Sequence, residues 1–488
     1  MRGLIVGLQN MLEKPMLQDP TIRKAAADEG LGVVWIAPGS EGGKERLGLQ
    51  FSPAGAAVAT LHQVLNDLAR ESGYAEIGYA PLLVVGHSAA MPFVWGMAEL
   101  DASRVFAILP YKGWVPGHAA RSIPTLYVSS EWAEWGAEWG EIWRVDRAAV
   151  EKLRSESDGC LVGEFVDIGS GHFDWTPEAA RVIALFIRKA ARSRIPETVQ
   201  SGQSVALKPI GPESGWLVDP ATLGTDACKP VPYARWSGDR KHAFWFFDAE
   251  MAEAVNSYMA ERLRKKPQAI DYLIDGKPAP LERNGFAEIG AKLLDDGVTF
   301  QIAATFLDKS PSAGLYNGAI VGHAAGPIQF RVASGALKQV GPATFRVWVD
   351  RGGVERQGPP WEPWVMAFQP GDGEYRATDR PAHIRIEIRN KDGRSQTIDF
   401  PQIADVPVGA RSVKLQATAA SGLPVQYFVI SGPVELKGDT LVLQPIPPRS
   451  KFPMRVLVAA YQWGRPTEPK LQSAGPVVQE FFIKGRTQ

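Results

Sequence analysis

Residues 81–91, PLLVVGHSAAM, constrain this chain more than any other stretch. Residues 82–85 are an unbroken apolar run of strand length that stops at Gly86-His87-Ser88-Ala89-Ala90. Beyond it Met91, Val94, Trp95 and Ala98 recur at helical spacing, so Ser88 stands where a buried strand hands over to a helix. A serine hydroxyl is a poor nucleophile until a base reaches it on one side and backbone N–H donors stand ready for the developing oxyanion on the other. A tight strand-to-helix turn exposes it to both. The pattern is G-x-S-x-G with Ala90 in the last place, still small enough for helix and strand to pack closely. The plain alternative is a capping serine at the end of a core strand, and the neighbouring elements decide between the two.

Those elements alternate. Residues 3–8 read as an apolar strand followed by an irregular segment, Gln9-Asn10-Met11. Asp19-Pro20 then caps a helix that ends at Gly30, residues 31–37 form a second buried strand, and Ser52-Pro53 opens a helix stopped by Gly73. After the helix that follows Ser88, short apolar strands are expected at 105–109, 124–128 and 165–168, and Thr176-Pro177-Glu178 opens a closing helix. Such alternation predicts a doubly wound, mostly parallel α/β sheet whose reactive groups gather at the carboxyl ends of the strands.

The motif, the order of elements and a later histidine together resemble the α/β-hydrolase superfamily, over residues 1–195. Within it the chain is most similar to the secreted serine esterase branch, with acetyl xylan and feruloyl esterases and polyester depolymerase-like proteins. The resemblance implies a cofactor-free carboxylic ester hydrolase, secreted or periplasmic, although the chain as given shows no signal peptide ahead of the strand at residues 3–8. Relatives carry further strands before that one. The strand at residues 33–37 is therefore expected to be a sheet edge in need of cover, either from later domains or from a lost amino-terminal segment.

Elimination among the seven histidines leaves one base. His62 lies within an amphipathic helix, His87 belongs to the turn, His118 has no suitable helix after it, and His242, His323 and His383 fall in the second half. His172, in the glycine-rich IGSGH loop between the last strand and the last helix, fills the final place of the order nucleophile, acid, histidine. The acid should follow the strand at 124–128, where the chain reads SSEWAEWGAEWGEIW. Trp132, Trp135, Trp139 and Trp143 share one helical face, as core or as a cleft wall, and Glu134 turns to the opposite one. Glu131, at the strand end, is the expected acid and Glu134 the alternative. The oxyanion hole is expected from the backbone N–H groups of Ala89 and of Asn10, with Gln9 and Met11 as the alternatives to the latter.

At 488 residues the chain exceeds one core, and three domains are expected: 1–195, a β-rich domain with one helix at 196–404, and an immunoglobulin-like β-sandwich at 405–488. The 53 basic and 53 acidic residues cancel, which points away from nucleic acid and anionic membrane surfaces. No apolar run approaches the roughly 20 residues of a membrane helix. No metal-ligand spacing is visible, the two cysteines allow one bridge or none, and the oligomeric state is left open. An ester, polymeric or small, is the expected partner. A non-catalytic carbohydrate-binding or adhesion protein on the same scaffold, and a serine peptidase of the same fold, are the alternatives.

Overall fold

The computed structural model describes all residues except 37–54, 117–121, 132–141, 158, 199–201, 280–285, 310–319, 351–362, 387–388 and 486–488. Six strands, β1 (Gly3–Leu8), β2 (Leu31–Ile36), β3 (Leu82–His87), β4 (Val105–Tyr111), β5 (Thr125–Ser130) and β6 (Val162–Asp167), form one sheet in the order β2-β1-β3-β4-β5-β6. Every pairing is parallel. The helices are α1 (Glu13–Gln18), α2 (Pro20–Asp28), α3 (Gly55–Ser72), α4 (Met91–Leu100), α5 (Ile142–Ser155) and α6 (Pro177–Arg194).

The crossover from β1 to β2 runs one way along the sheet and all later ones run the other way. Right-handed connections therefore place α2 on one face and α3, α4 and α5 on the other. In keeping with this, α2 packs on α6 and α3 on α4. This is the doubly wound parallel α/β sheet that the sequence predicts, and its strand order reverses between β1 and β3, so the loops leaving these two strands face each other across the crevice where such sheets bind ligands.

The local signals act as expected. Asp19 accepts the N–H groups of Thr21 and Ile22, Thr176 accepts that of Ala179, and Gly30 and Gly73 end their helices at φ 65° and 87°. The start of the helix assigned to Ser52-Pro53 and the tryptophan helix at 132–141 lie outside the described residues. Both cysteines are free, Cys160 buried and Cys228 half-buried.

The apolar core of the sheet does not stop at residue 195. It continues without a break to Met259, taking in β7 (Trp216–Val218), β9 (Phe244–Phe246), which flanks β7 opposite β8 (Val231–Pro232), and α7 (Ala249–Leu263). Gly163 of β6 lies so close to β9 that an added Cβ would sit 2.6 Å from the Trp245 carbonyl. Phe165 meets Tyr258 edge-on at 4.9 Å. The boundary expected at 195 thus cuts through a packed layer. At the opposite end β2 is the edge, and among the described residues no strand pairs with its outer side.

A fragment of residues 1–195 is therefore expected to aggregate, because it bares the β6 face as well as β2. Light scattering after size-exclusion chromatography checks this, and a monomer as heat-stable as the full chain would contradict it.

The remainder is β-rich, with several sheets. Sheets built around strands Ile270–Ile274, Trp364–Gln369, Thr378–Arg385 and Thr344–Val347 share one core that includes Tyr272, Phe300, Phe345 and Val365. Strands Gln426–Ser431, Met454–Gln462 and Ala474–Lys484 share another with Thr440–Leu443, centred on Leu441, Val456, Val458 and Phe481. Val349, Phe428, Tyr461 and Trp463 join the two. The last unit returns to the first: Arg449 pairs with Glu76, and the Lys451 N–H donates to Ser72 O at 3.2 Å. Among the described residues no helix is long and apolar enough to cross a membrane.

Candidate active site

All six residues of β3 are buried, and the chain then turns through Ser88 at φ 51°. A side chain other than glycine in this left-handed region costs about 1 kcal/mol. Packing sustains the turn: a Cβ on Gly86 would lie 2.7 Å from Val94 and 2.9 Å from the Cβ of Ala90. Only glycine fits at 86, and at 90 only a small side chain does. Ser88 and Ala89 remain half-buried, so the turn is reachable from solvent. It is the sharp strand-to-helix turn that the sequence predicts.

His87, one residue earlier, has a role that the sequence did not reveal. It is fully buried, and burial pushes its imidazole down to about 3, so the ring is neutral. Its Nε2 lies 2.9 Å from the carbonyl of His172. A carbonyl only accepts, so Nε2 carries the proton and Nδ1, 3.5 Å from Asn10 Nδ2, is the acceptor. His87 thus ties the elbow to the histidine loop, and the His172 ring packs 4.7 Å from it. His172 is itself buried, and that burial, followed by its neighbours His87 and the Lys112 ammonium, holds its imidazole well below the ordinary range. It is neutral at pH 7, the state in which an imidazole can take up a proton.

Four further anchors shape the loop around His172. Lys112, at φ 47° just past β4, donates from Nζ to Ser170 Oγ at 2.7 Å and to the carbonyls of Gly171 and Asp174 at 2.8 Å each. It also pairs at 3.0 Å with Asp167, which accepts from Tyr258 at 2.5 Å. The other three anchors come from the β-rich part. Asp379 Oδ2 accepts the Gly171 N–H at 2.7 Å, and burial followed by the charge of Asp174 raises its carboxyl well above the ordinary range. Arg331 pairs with Asp174, while Trp364 stacks on Phe173 at 4.6 Å. No periodicity links residues 331–379 to residues 169–174, so sequence reasoning had no means of finding these contacts.

Glu131 follows β5 and is fully buried, as expected of a residue at the carboxyl end of a strand. Its oxygens face a partner the sequence did not suggest. Oε1 and Oε2 take Arg376 Nη2 and Nε, and Oε2 also accepts the Gly169 N–H at 2.7 Å. Its own N–H donates to Ser170 O at 2.9 Å. The alternative acid, Glu134, lies outside the described residues.

The loop after β1 departs from expectation in its donors. The Asn10 N–H expected at the oxyanion hole donates to Glu13 Oε2 at 2.8 Å, and the Met11 N–H to the same oxygen at 2.9 Å. The Gln9 N–H bonds Ile36 O at 2.8 Å. A donor already serving a buried carboxylate is not available to a substrate, so the assignment of the Asn10 backbone is corrected. Its side chain does reach the elbow, with Nδ2 3.2 Å from His87 O.

No family model and no curated protein matches the chain. Among solved structures, the crystal structure of esterase PE8 aligns at 18% identity and TM-score 0.28, covering 39% of this chain and 93% of that one. Arabidopsis thaliana SOBER1 aligns at 15% identity and TM-score 0.28, covering 39% and 99%. Human protocadherin-24 EC1-2 aligns at 10% identity and TM-score 0.17, covering 45% and 99%.

Proposed function

We propose that the chain is a serine hydrolase of carboxylic esters that works through an acyl-enzyme. Ser88 Oγ attacks the ester carbonyl while His172 takes its proton. His172 then returns that proton to the departing alcohol, and a water activated by the same imidazole releases the acid. The Ala89 N–H holds the oxyanion from the elbow, and Asn10 steadies the elbow through its side-chain Nδ2 on His87 O. Glu131 orients His172 by holding the backbone of its loop at Gly169 and Ser170.

One observation carries this reading. The strained Ser88 turn and the His172 loop are joined through a single neutral imidazole, His87. By resemblance, plant-polysaccharide esters, acetyl or feruloyl, are the first substrate class and polyesters the second. The resemblance also puts the protein outside the cytoplasm, with the last, immunoglobulin-like unit as a polymer-binding module or spacer.

The test is labelling of the full chain by a fluorophosphonate, which reacts at useful speed only with an activated serine. Modification at Ser88 is expected, and a folded protein that stays unlabelled would overturn the reading. That outcome would favour a non-catalytic scaffold, a reading drawn from the engagement of Glu131 with Arg376 and Gly169. Turnover of matched esters and amides separates an esterase from a peptidase.

A further inference from the structure

Glu13 has no place in the scheme above, yet it lies beneath both halves of the site. It opens the short helix α1 and is fully buried. Its carboxylate gathers three backbone donors from two separate segments: Oε2 takes the N–H groups of Asn10 and Met11 at 2.8 and 2.9 Å, and Oε1 takes that of His87 at 2.6 Å. A buried carboxylate is costly unless its lone pairs are filled, and these are filled by main chain alone.

The loop after β1 has few other holds. Gln9 Oε1 accepts from Trp35 Nε1 at 2.7 Å and from the Lys14 N–H at 3.1 Å, and Asn10 Nδ2 reaches His87 O. Glu13 is the group whose charge spans from this loop to the elbow.

We propose that Glu13 is a positioning residue: its carboxylate clamps the loop after β1 to the nucleophile turn, so that Asn10 keeps its register with Ser88. This rests on the esterase reading of Ser88. The ionised form makes the clamp. It offers both oxygens as acceptors, whereas a neutral carboxyl or an amide has one good acceptor and must release either the loop or the His87 N–H.

Burial raises the Glu13 carboxyl to about 7 against the lowering effect of those same N–H groups. The helix and strands around it bring few other titrating groups. β1 and β2 carry no charged side chain, and β3 brings only His87, behind which lie His172 and Lys112. On the helical side Lys14 pairs with Asp350, Lys24 pairs with Asp28, and Arg23 lines a surface groove beside them. His87 and His172 are held below the ordinary imidazole range, and Asp379, the other raised carboxyl beside the site, is intact in both proteins, so an inflection near pH 7 that Glu13→Gln removes belongs to Glu13.

The sign for stability is opposite to the sign for reactivity. A carboxyl raised on folding is held as the acid more tightly in the folded chain than in the unfolded one. Its contribution is therefore full below the ordinary carboxylate range and is lost as pH rises through about 7. Glu13→Gln should thus be at least as heat-stable as the wild type above that pH while being less reactive. A purely structural residue would lose both together.

The experiment compares the wild-type full chain with Glu13→Gln by the rate of fluorophosphonate labelling at Ser88 across neutral pH, and by amide exchange of the peptides spanning residues 9–12 and 84–88. The wild-type rate should fall as pH drops through about 7. The variant should lack that inflection and react at least about tenfold more slowly above it, since an ångström of misplacement can cost about a hundredfold. Its Asn10, Met11 and His87 amides should exchange faster. A variant with the wild-type rate and inflection, with unchanged exchange, or one that fails to fold, would overturn the role. If the wild type is never labelled, the esterase reading fails instead, and the exchange data still decide whether Glu13 clamps the loop.

Discussion

Ser88→Ala is expected to remove p-nitrophenyl acetate hydrolysis and fluorophosphonate labelling while leaving the protein folded. Loss of the nucleophile in a serine triad costs on the order of 10⁶ in turnover, and what remains comes from oxyanion stabilisation and binding. The fold should tolerate the change. Ser88 is half-buried, no core packing depends on its hydroxyl, and alanine meets the same left-handed strain as serine at φ 51°. Stability is thus expected to shift by less than about 1 kcal/mol, read as an unchanged thermal midpoint. Retention of more than about a tenth of the activity in a clean preparation would remove Ser88 from the chemistry.

Arg376→Ala should produce the largest loss of stability of any single change near the site. It leaves the Glu131 carboxylate buried with the Gly169 N–H but without its cation, and breaking a buried pair from one side costs about 3–5 kcal/mol. The side chains are 3% and 0% exposed, so water cannot replace the guanidinium without opening the site. Removing both charges should behave differently. Arg376→Met combined with Glu131→Gln takes away the desolvated charges together and should recover most of the thermal midpoint lost by the single variant.

The same pair of variants separates two ways in which Glu131 could orient His172. The amide introduced by Glu131→Gln still has a carbonyl oxygen to accept the Gly169 N–H. If Glu131 acts through the loop backbone, the double variant should label at Ser88 within about tenfold of the wild type, by the general size of positioning effects. An acid acting directly on the imidazole would instead cost about 10⁴ when replaced by its amide. A loss on that larger scale, in a refolded double variant, would return Glu131 to direct contact with the base.

What the sequence by itself determined is local. A residue such as Asp19 or Thr176 caps a helix because its own side chain reaches the N–H groups two or three positions on, and glycines at 30 and 73 end helices because they alone enter the left-handed region cheaply. The turn at Ser88 belongs to the same class: Gly86, Ser88 and Ala90 lie within one short segment, and their packing is settled by a strand and a helix adjoining in sequence. The place of His172, in the loop between the last strand and the last helix, is likewise legible, because the order of elements survives into the fold.

Only the tertiary structure decided the rest. The Asn10 N–H is taken by Glu13, a partner the sequence could not show, since a backbone N–H carries no side-chain signature and Glu13 belongs to a six-residue helix too short to show a period. Glu131 stands where the end of β5 was expected, but its cation comes from 245 positions away. The core boundary moved from 195 to 259 for a related reason. Phe244, Trp245 and Phe246 read as an aromatic strand in any context, and only folding puts Gly163 beneath them. Charge pairs and shared layers between segments remote in sequence leave no period and no spacing, because the chain between them is free to vary in length while the contact is held in space.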